Sequence, residues 1–266
     1  METEIIVSVK NATVQKEGKK LIDDISWEIL QGEHWGVLGL NGSGKTTLLK
    51  IIAGAMWPKA GSGPVNVLGE RYGNTYMPEL KKSIGWVSQA VDQQYQLHPD
   101  TTALEIVLSG KHASIGIYEP LTEEDVSFAR SLLQKFRIDH LEEQPLAHFS
   151  QGERKKAMLA RAWMAKPKLL ILDEPCAGLD IYAREELLDT LEEMMNEKGP
   201  SLIYVTHHLE EVIPSITHTL LLKSGEITAS GKKRETLTEE NIFNTFQVPV
   251  KLEWENNRPW VKVEKL

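Results

Sequence analysis

The sequence predicts an α/β fold: a mostly parallel sheet, preceded by an N-terminal antiparallel β region and interrupted by a helical insert. Three observations predict it. The apolar run Trp35-Gly36-Val37-Leu38 leads into a glycine-rich loop and then an apolar helix, as a buried strand does when it turns tightly. Leu169-Leu170-Ile171-Leu172 and Leu202-Ile203-Tyr204-Val205 are apolar without alternation, as expected of parallel strands covered on both faces. Between about residues 100 and 165 the periodicity is helical instead.

Taken in order, Ile5-Ile6-Val7-Ser8-Val9, Ile25-Ser26-Trp27-Glu28-Ile29, the 35–38 run, Val65-Asn66-Val67-Leu68 and Ile84-Gly85-Trp86-Val87 are short β candidates bounded by polar turns. A helix over Thr46 to Ala53 interrupts them. In the insert, Thr122-Glu123-Glu124-Asp125 has capping-box character, and Val126, Ala129, Leu133 and Phe136 follow at helical spacing. The strands at 169–172 and 202–205 are separated by a helix with Leu187, Leu188, Leu191, Met194 and Met195 on one face. Beyond polar Thr236 to Asn241, Val250–Trp254, a turn at Glu255-Asn256-Asn257 and Trp260–Val263 predict a terminal hairpin. No internal repeat divides the chain. It reads as one composite domain over 1–266, with an α/β core at about 1–90 and 166–235, a helical subdomain at about 91–165 and a hairpin appendage at about 236–266.

Composition narrows the function. With 38 acidic and 30 basic residues among 266, the formal charge of −8 argues against direct binding of nucleic acid, which favours a basic stripe. The longest apolar runs fall far short of the roughly 20 residues needed to span a bilayer. The N-terminus Met1-Glu2-Thr3-Glu4 is acidic where a signal peptide is basic, and the single Cys176 cannot form an internal disulfide, so a cytoplasmic location is expected.

Residues 39 to 46, Gly-Leu-Asn-Gly-Ser-Gly-Lys-Thr, match G-x-x-x-x-G-K-[ST], the phosphate-cradling P-loop of nucleoside triphosphatases. Its glycines let backbone N–H groups approach an anion, and the helix that follows aims its positive end at the same point. Gly39, Asn41, Gly42, Ser43, Gly44, Lys45, Thr46 and Thr47 are the candidate nucleotide contacts. Lys45 would reach the β- and γ-phosphates and Thr46 would ligate Mg²⁺. After the insert, the 169–172 strand ends in Asp173-Glu174-Pro175, where Asp173 is placed to hold the metal and Glu174 to activate water. Other polar residues have ordinary readings: Ser150 as an N-cap, Asp180 as the cap of the next helix, His207 as a satisfied histidine at a strand end. His207 and His208 lack the spaced His or Cys partners of a zinc site, so zinc is not expected.

Phe149-Ser150-Gln151-Gly152-Glu153 and the basic, then apolar, segment after it resemble the signature of ATP-binding cassette (ABC) ATPases, L-S-G-G-Q. The resemblance covers roughly residues 5 to 230. Gln89 resembles that family's Q-loop glutamine, Ala177-Gly178-Leu179-Asp180 its D-loop, and Thr206-His207-His208 its switch-histidine segment. It implies a Mg²⁺-dependent ATPase in which two copies pair head to tail around two ATP molecules. Ser150 and Gly152 of one copy would contact the γ-phosphate held by Lys45 of the other, with Asp180 across the interface. Glu174, His207 and Gln89 are the implied catalytic residues, and Thr46, Gln89 and Asp173 the implied Mg²⁺ contacts.

Three departures stand out. The signature's third position is Gln151 where glycine is usual. Val14-Gln15-Lys16-Glu17-Gly18 lacks the aromatic residue that stacks on adenine, which points to weak recognition of the base. Cys176 replaces a common threonine. Only about 60 residues separate Gln89 from Ser150, too few for a long coiled-coil insertion, and the chain has one cassette. The resemblance therefore implies the ATP-hydrolysing subunit of a membrane transporter, homodimeric with ATP bound, working with a separate transmembrane permease subunit and peripheral at the inner face of the cell membrane. The segment Thr101–Gly110 is most like the metal-chelate and molybdate importer cassettes. The alternative is a soluble single-cassette ATPase acting on a ribosome, nucleic-acid or regulatory partner.

Overall fold

The computed structural model describes residues 4–196 and 199–264. Its first half contains β1 (Ile5–Lys16), β2 (Lys19–Leu30), β3 (His34–Leu38), α1 (Lys45–Ile52), β4 (Val65–Val67), β5 (Glu70–Arg71), α2 (Met77–Lys82), β6 (Ile84–Val87), α3 (Gln89–Gln96), α4 (Ala103–Ser109) and α5 (Glu123–Lys135). The remainder contains α6 (Gln151–Met164), β7 (Leu169–Asp173), α7 (Ile181–Asn196), β8 (Ser201–Thr206), β9 (His218–Lys223), β10 (Glu226–Lys232), α8 (Lys233–Thr236), α9 (Glu239–Phe246), β11 (Val250–Glu255) and β12 (Arg258–Val263). Contacts divide the chain into two compact units: residues up to Leu80 with those from Ser201 onward, and Lys81–Pro200.

In the first unit an antiparallel sheet has the order β2-β1-β4-β5. β1 and β2 are each 12 residues long, and their pairing continues to Lys16↔Lys19, so the stretch 14–18 is the end of a long hairpin. α1 buries Leu48, Leu49, Ile51 and Ile52. In the unit's other sheet β3 lies between β8 and β9, parallel to both, and β10 closes the edge antiparallel to β9. β8 is buried along its whole length, as expected for its apolar stretch Leu202–Val205. The terminal hairpin forms as expected: β11 and β12 pair with Glu255↔Arg258 across a two-residue loop. Asn256 and Asn257 supply the two positive φ angles, 48° and 61°, that such a turn needs.

The second unit contains β6 and β7, parallel in the register Val87↔Leu172, with helices α3 to α7. Three of its helices begin with reciprocal capping boxes: Thr102 with Glu105, Thr122 with Asp125, and Ser150 with Glu153. α6 is buried from Lys155 to Met164, and its cations are matched. Lys156 pairs with Glu186 at 2.8 Å, and Arg161 donates to the Tyr95 hydroxyl at 2.9 Å and the Ser114 carbonyl at 2.8 Å. The mixed α/β architecture, with an antiparallel N-terminal sheet and a mostly parallel sheet, is the one the sequence predicts. Among the described residues no helix is long and apolar enough to cross a membrane.

Candidate nucleotide site

In the first unit the phosphate loop is positioned by β3, whose neighbours fix where it leaves the sheet. Leu38 pairs with Thr206 on β8, so Gly39 and His207 depart from adjacent parallel strands at the same level. Two glycines are compulsory. A Cβ on Gly39 would lie 2.2 Å from the Leu222 carbonyl oxygen, and one on Gly44 (φ 109°) would lie 2.6 Å from that of Leu21. The loop therefore sits flush against backbone that no side chain could share. Asn41 and Gly42 are exposed at its tip, and Thr46 is exposed at the start of α1, with Thr47 half-buried behind it.

The cradle suits an anion. α1 starts from Gly44 with no side-chain cap and no acidic residue in its first turn, unlike the boxed helices of the second unit. No carboxylate therefore competes with an anion for the positive end of the helix dipole. Lys45 is 5% exposed, and its ammonium donates to the carbonyls of Gly39 (2.7 Å) and Leu40 (3.1 Å), lying over the loop. Ser43 Oγ is buried without a hydrogen-bond partner among the described residues. A phosphate would satisfy such a hydroxyl. Beside the 14–18 hairpin end, where the sequence has no aromatic residue, the fold brings one from elsewhere. Trp57 lines a cavity of about 410 Å³ with Val14, Gln15, Glu17, Gly18 and Lys59.

In the second unit the parallel register of β6 and β7 puts Ser88-Gln89 and Asp173-Glu174 side by side at the strand ends. Gln89 is exposed at the first position of α3, and Asp173 is half-buried. Glu174 has φ of 50°, a left-handed conformation that non-glycine residues avoid. Such strain tends to occur where function demands it. Asp180 accepts from the N–H of Ala183 at 2.8 Å and so caps α7. Gly152 faces Ala183 at the start of that helix; a Cβ there would come within 3.3 Å of the alanine methyl.

The signature segment is more constrained than its sequence suggests. Ser150 N–H and hydroxyl both donate to the Glu153 carboxylate, at 2.8 and 2.7 Å, while Glu153 N–H donates back to the hydroxyl at 3.3 Å. Burial works against the charge on Glu153. The hydrogen bonds from Ser150 and the contact with His140 outweigh it and hold the carboxyl below its ordinary range. Gln151, the departure at the third position, donates to the Ala177 carbonyl at 3.3 Å and packs where a Cβ on Gly178 would lie 2.3 Å from its amide. That side chain ties the signature to the D-loop. Sequence reasoning also passed over Asp92, 5% exposed on α3, which ion-pairs with Arg154 at 3.0 Å and Lys155 at 3.6 Å on α6. Its signal was only an acidic residue three positions after Gln89. No group of three or more His, Cys, Asp or Glu able to hold a metal occurs among the described residues. Mg²⁺ beside a triphosphate needs only one or two protein oxygen ligands, and the Thr46 hydroxyl in the first unit and the Asp173 carboxylate in the second are each donors of that chemistry.

The cradle and its lysine define the class, a P-loop nucleoside-triphosphate-binding protein. Residues 22–177 match the ABC transporter family, and the chain belongs to that family, as an ATP-binding subunit. It is 42% identical over 259 residues to the ABC transporter ATP-binding protein YlmA of Bacillus subtilis (strain 168), covering 97% of each chain. It is 31% identical over 242 residues to the manganese transport system ATP-binding protein MntB of the same organism, covering 90% of this chain and 92% of that one. A solved chain described as of a metal-chelate type ABC transporter, in an inward-facing conformation, superposes with a TM-score of 0.76 at 24% identity, over 98% of this chain and 97% of the other. That likeness bears out the predicted fold.

Proposed function

We propose that this protein hydrolyses ATP with Mg²⁺ and, as a head-to-tail homodimer, powers a separate transmembrane permease from the cytoplasmic face of the membrane. The observation that carries this reading is the uncapped α1 behind a glycine loop, with Lys45 lying over it. Lys45 exchanges its carbonyl partners for the β- and γ-phosphates, and the backbone of Gly39, Asn41, Gly42, Ser43, Gly44, Thr46 and Thr47 cradles them. Thr46, Asp173 and Gln89 would hold the metal, which when bound neutralises charge developing between the β- and γ-phosphates. Glu174 orients and deprotonates the attacking water, and His207 contacts the γ-phosphate. Ser150 and Gly152 of a second copy close the site, with Asp180 across the interface.

No direct nucleic-acid contact is part of this reading, in keeping with the net charge of −8. The test separates binding from turnover. Lys45→Ala should lose tight ATP binding, while Glu174→Gln should bind ATP, hydrolyse it at least about a hundredfold more slowly, and accumulate as a dimer on gel filtration with ATP and Mg²⁺. A Glu174→Gln protein that stays monomeric at micromolar concentration would overturn the dimeric mechanism. Crosslinking from single cysteines at exposed positions between 90 and 120, in a Cys176→Ser background, should capture a polytopic membrane protein. Recovery of ribosomal protein or nucleic acid instead would favour the soluble alternative.

A further inference from the structure

The segment after His207 is anchored twice, once from inside the first unit and once from its C-terminal hairpin. Inside, Glu211 is 3% exposed, and one carboxylate oxygen accepts from the Thr206 hydroxyl at 2.6 Å and the Tyr204 hydroxyl at 3.0 Å. Because Thr206 gives its only proton to Glu211, its lone pairs are directed outward, and one accepts the N–H of His208 at 3.0 Å. The Glu211 N–H returns to the His208 carbonyl at 3.2 Å. The residues on both sides of His207 are thereby fixed through one buried carboxylate.

From outside, Arg258 at the start of β12 donates to the Glu210 carbonyl while its guanidinium lies over the Trp260 ring, 4.9 Å from the centroid. Lys233, 4% exposed, donates to the carbonyls of Ile213 (3.2 Å), Pro214 (3.1 Å) and the hairpin-turn residue Asn257 (2.9 Å). The Asn257 amide donates to the Pro214 carbonyl at 3.3 Å. The hairpin is therefore bonded to the residues that follow the switch histidine, through groups with fixed geometry rather than through a loose apolar contact.

We propose that Glu211 and Arg258 are positioning residues for His207, Glu211 acting from the core and Arg258 making the C-terminal hairpin an outer brace on ATP turnover. The inference rests on the role proposed above for His207. Neither residue touches nucleotide. Both act through the backbone that aims the imidazole, so they should govern the rate of hydrolysis and leave nucleotide affinity alone.

The experiment uses the full-length protein, with kcat from steady-state ATP hydrolysis and Kd from a fluorescent ATP analogue. Glu211→Ala should lower kcat about tenfold and Arg258→Ala about threefold, each with Kd changed less than about twofold. Arg258→Lys should recover most of the loss, because an ammonium can still donate to the Glu210 carbonyl. In a His207→Ala background, with residual turnover followed over hours, Arg258→Ala should cause no further loss, since the group it positions is gone. An equal proportional loss in that background would overturn the brace, as would an Arg258→Ala enzyme with unchanged kcat. If Glu211→Ala does not fold, the Arg258 variants decide alone. Undiminished turnover in His207→Ala would overturn the role of the histidine itself, a result distinct from a dead His207→Ala beside a fully active Arg258→Ala.

Discussion

The hydroxyl of Ser150 gives its proton to Glu153, 2.7 Å away, so the signature serine is already engaged in its own helix cap. In the proposed closed dimer a γ-phosphate would meet there a carboxylate held in the charged form and a donor that must turn away from it. Glu153→Gln would keep an acceptor for the Ser150 N–H and remove that charge. The ATP-driven dimer of the hydrolysis-deficient protein should then tighten about twofold to fivefold, as expected for removing one charge near a helix N-terminus. Analytical ultracentrifugation with ATP measures this, and a weaker dimer would show that the capping carboxylate assists closure.

Base recognition should be loose. Lys16 stands at the hairpin end where the family usually offers a ring, so triphosphate contacts supply most of the binding. ATP and GTP affinities should differ by less than about tenfold, or 1.4 kcal/mol. Calorimetry of both nucleotides checks it. A hundredfold preference that disappears in Trp57→Ala would mean that the ring lining the neighbouring cavity holds the base.

Asp92 joins α3, which begins with Gln89, to α6, which begins beside Ser150, through Arg154 and Lys155. Removing one partner of a buried ion pair leaves charge without compensation. Asp92→Ala should therefore cost about 3 kcal/mol, the lower end of the usual range because Arg154 retains some access to water. Urea unfolding gives the figure. A loss under about 1 kcal/mol would mean that both cations reach solvent when the carboxylate is gone.

Acid should weaken the second unit. The Lys111 ammonium, with the N–H and hydroxyl of Thr122, holds the Asp125 carboxyl well below the usual carboxylate range. Glu153 is lowered as well. A carboxyl depressed by folding contributes stability that is complete above its unfolded value, about 4, and lost as pH falls through the folded one. The urea midpoint should hold from pH 7 to about 5 and decline below about pH 4. Asp125→Asn should flatten that decline; an unchanged slope would assign it to other groups.

What was legible in the sequence was local. The P-loop, the Asp173-Glu174 strand end and the terminal hairpin each lie within a few consecutive residues, where spacing encodes geometry directly. The lengths of β1 and β2 were not legible, because Lys10 and Asn11 break the apolar pattern although the backbone ladder continues past them to Lys16. β9 and β10 were missed for a related reason. Leu220-Leu221-Leu222 is a short apolar run, and the alternating exposure of β10 carries little hydrophobic signal. The tasks of Asp92, Gln151 and Glu211 depend on partners brought close by folding, and no spacing rule encodes such a meeting. The reading of Asp180 as a helix cap was correct in geometry, and its proposed place at a dimer interface is a separate matter.

With Glu174 in its proposed role, its left-handed backbone sets thermal endurance against turnover. A left-handed residue with a side chain costs roughly 1 kcal/mol, and glycine or asparagine relieves that strain. Glu174→Gly should therefore raise the melting temperature by a few degrees while removing the proposed base. Directed evolution for heat resistance alone would be drawn toward proteins that bind ATP, melt a few degrees above their parent and hydrolyse nothing, so any such selection on this scaffold must score hydrolysis in the same round.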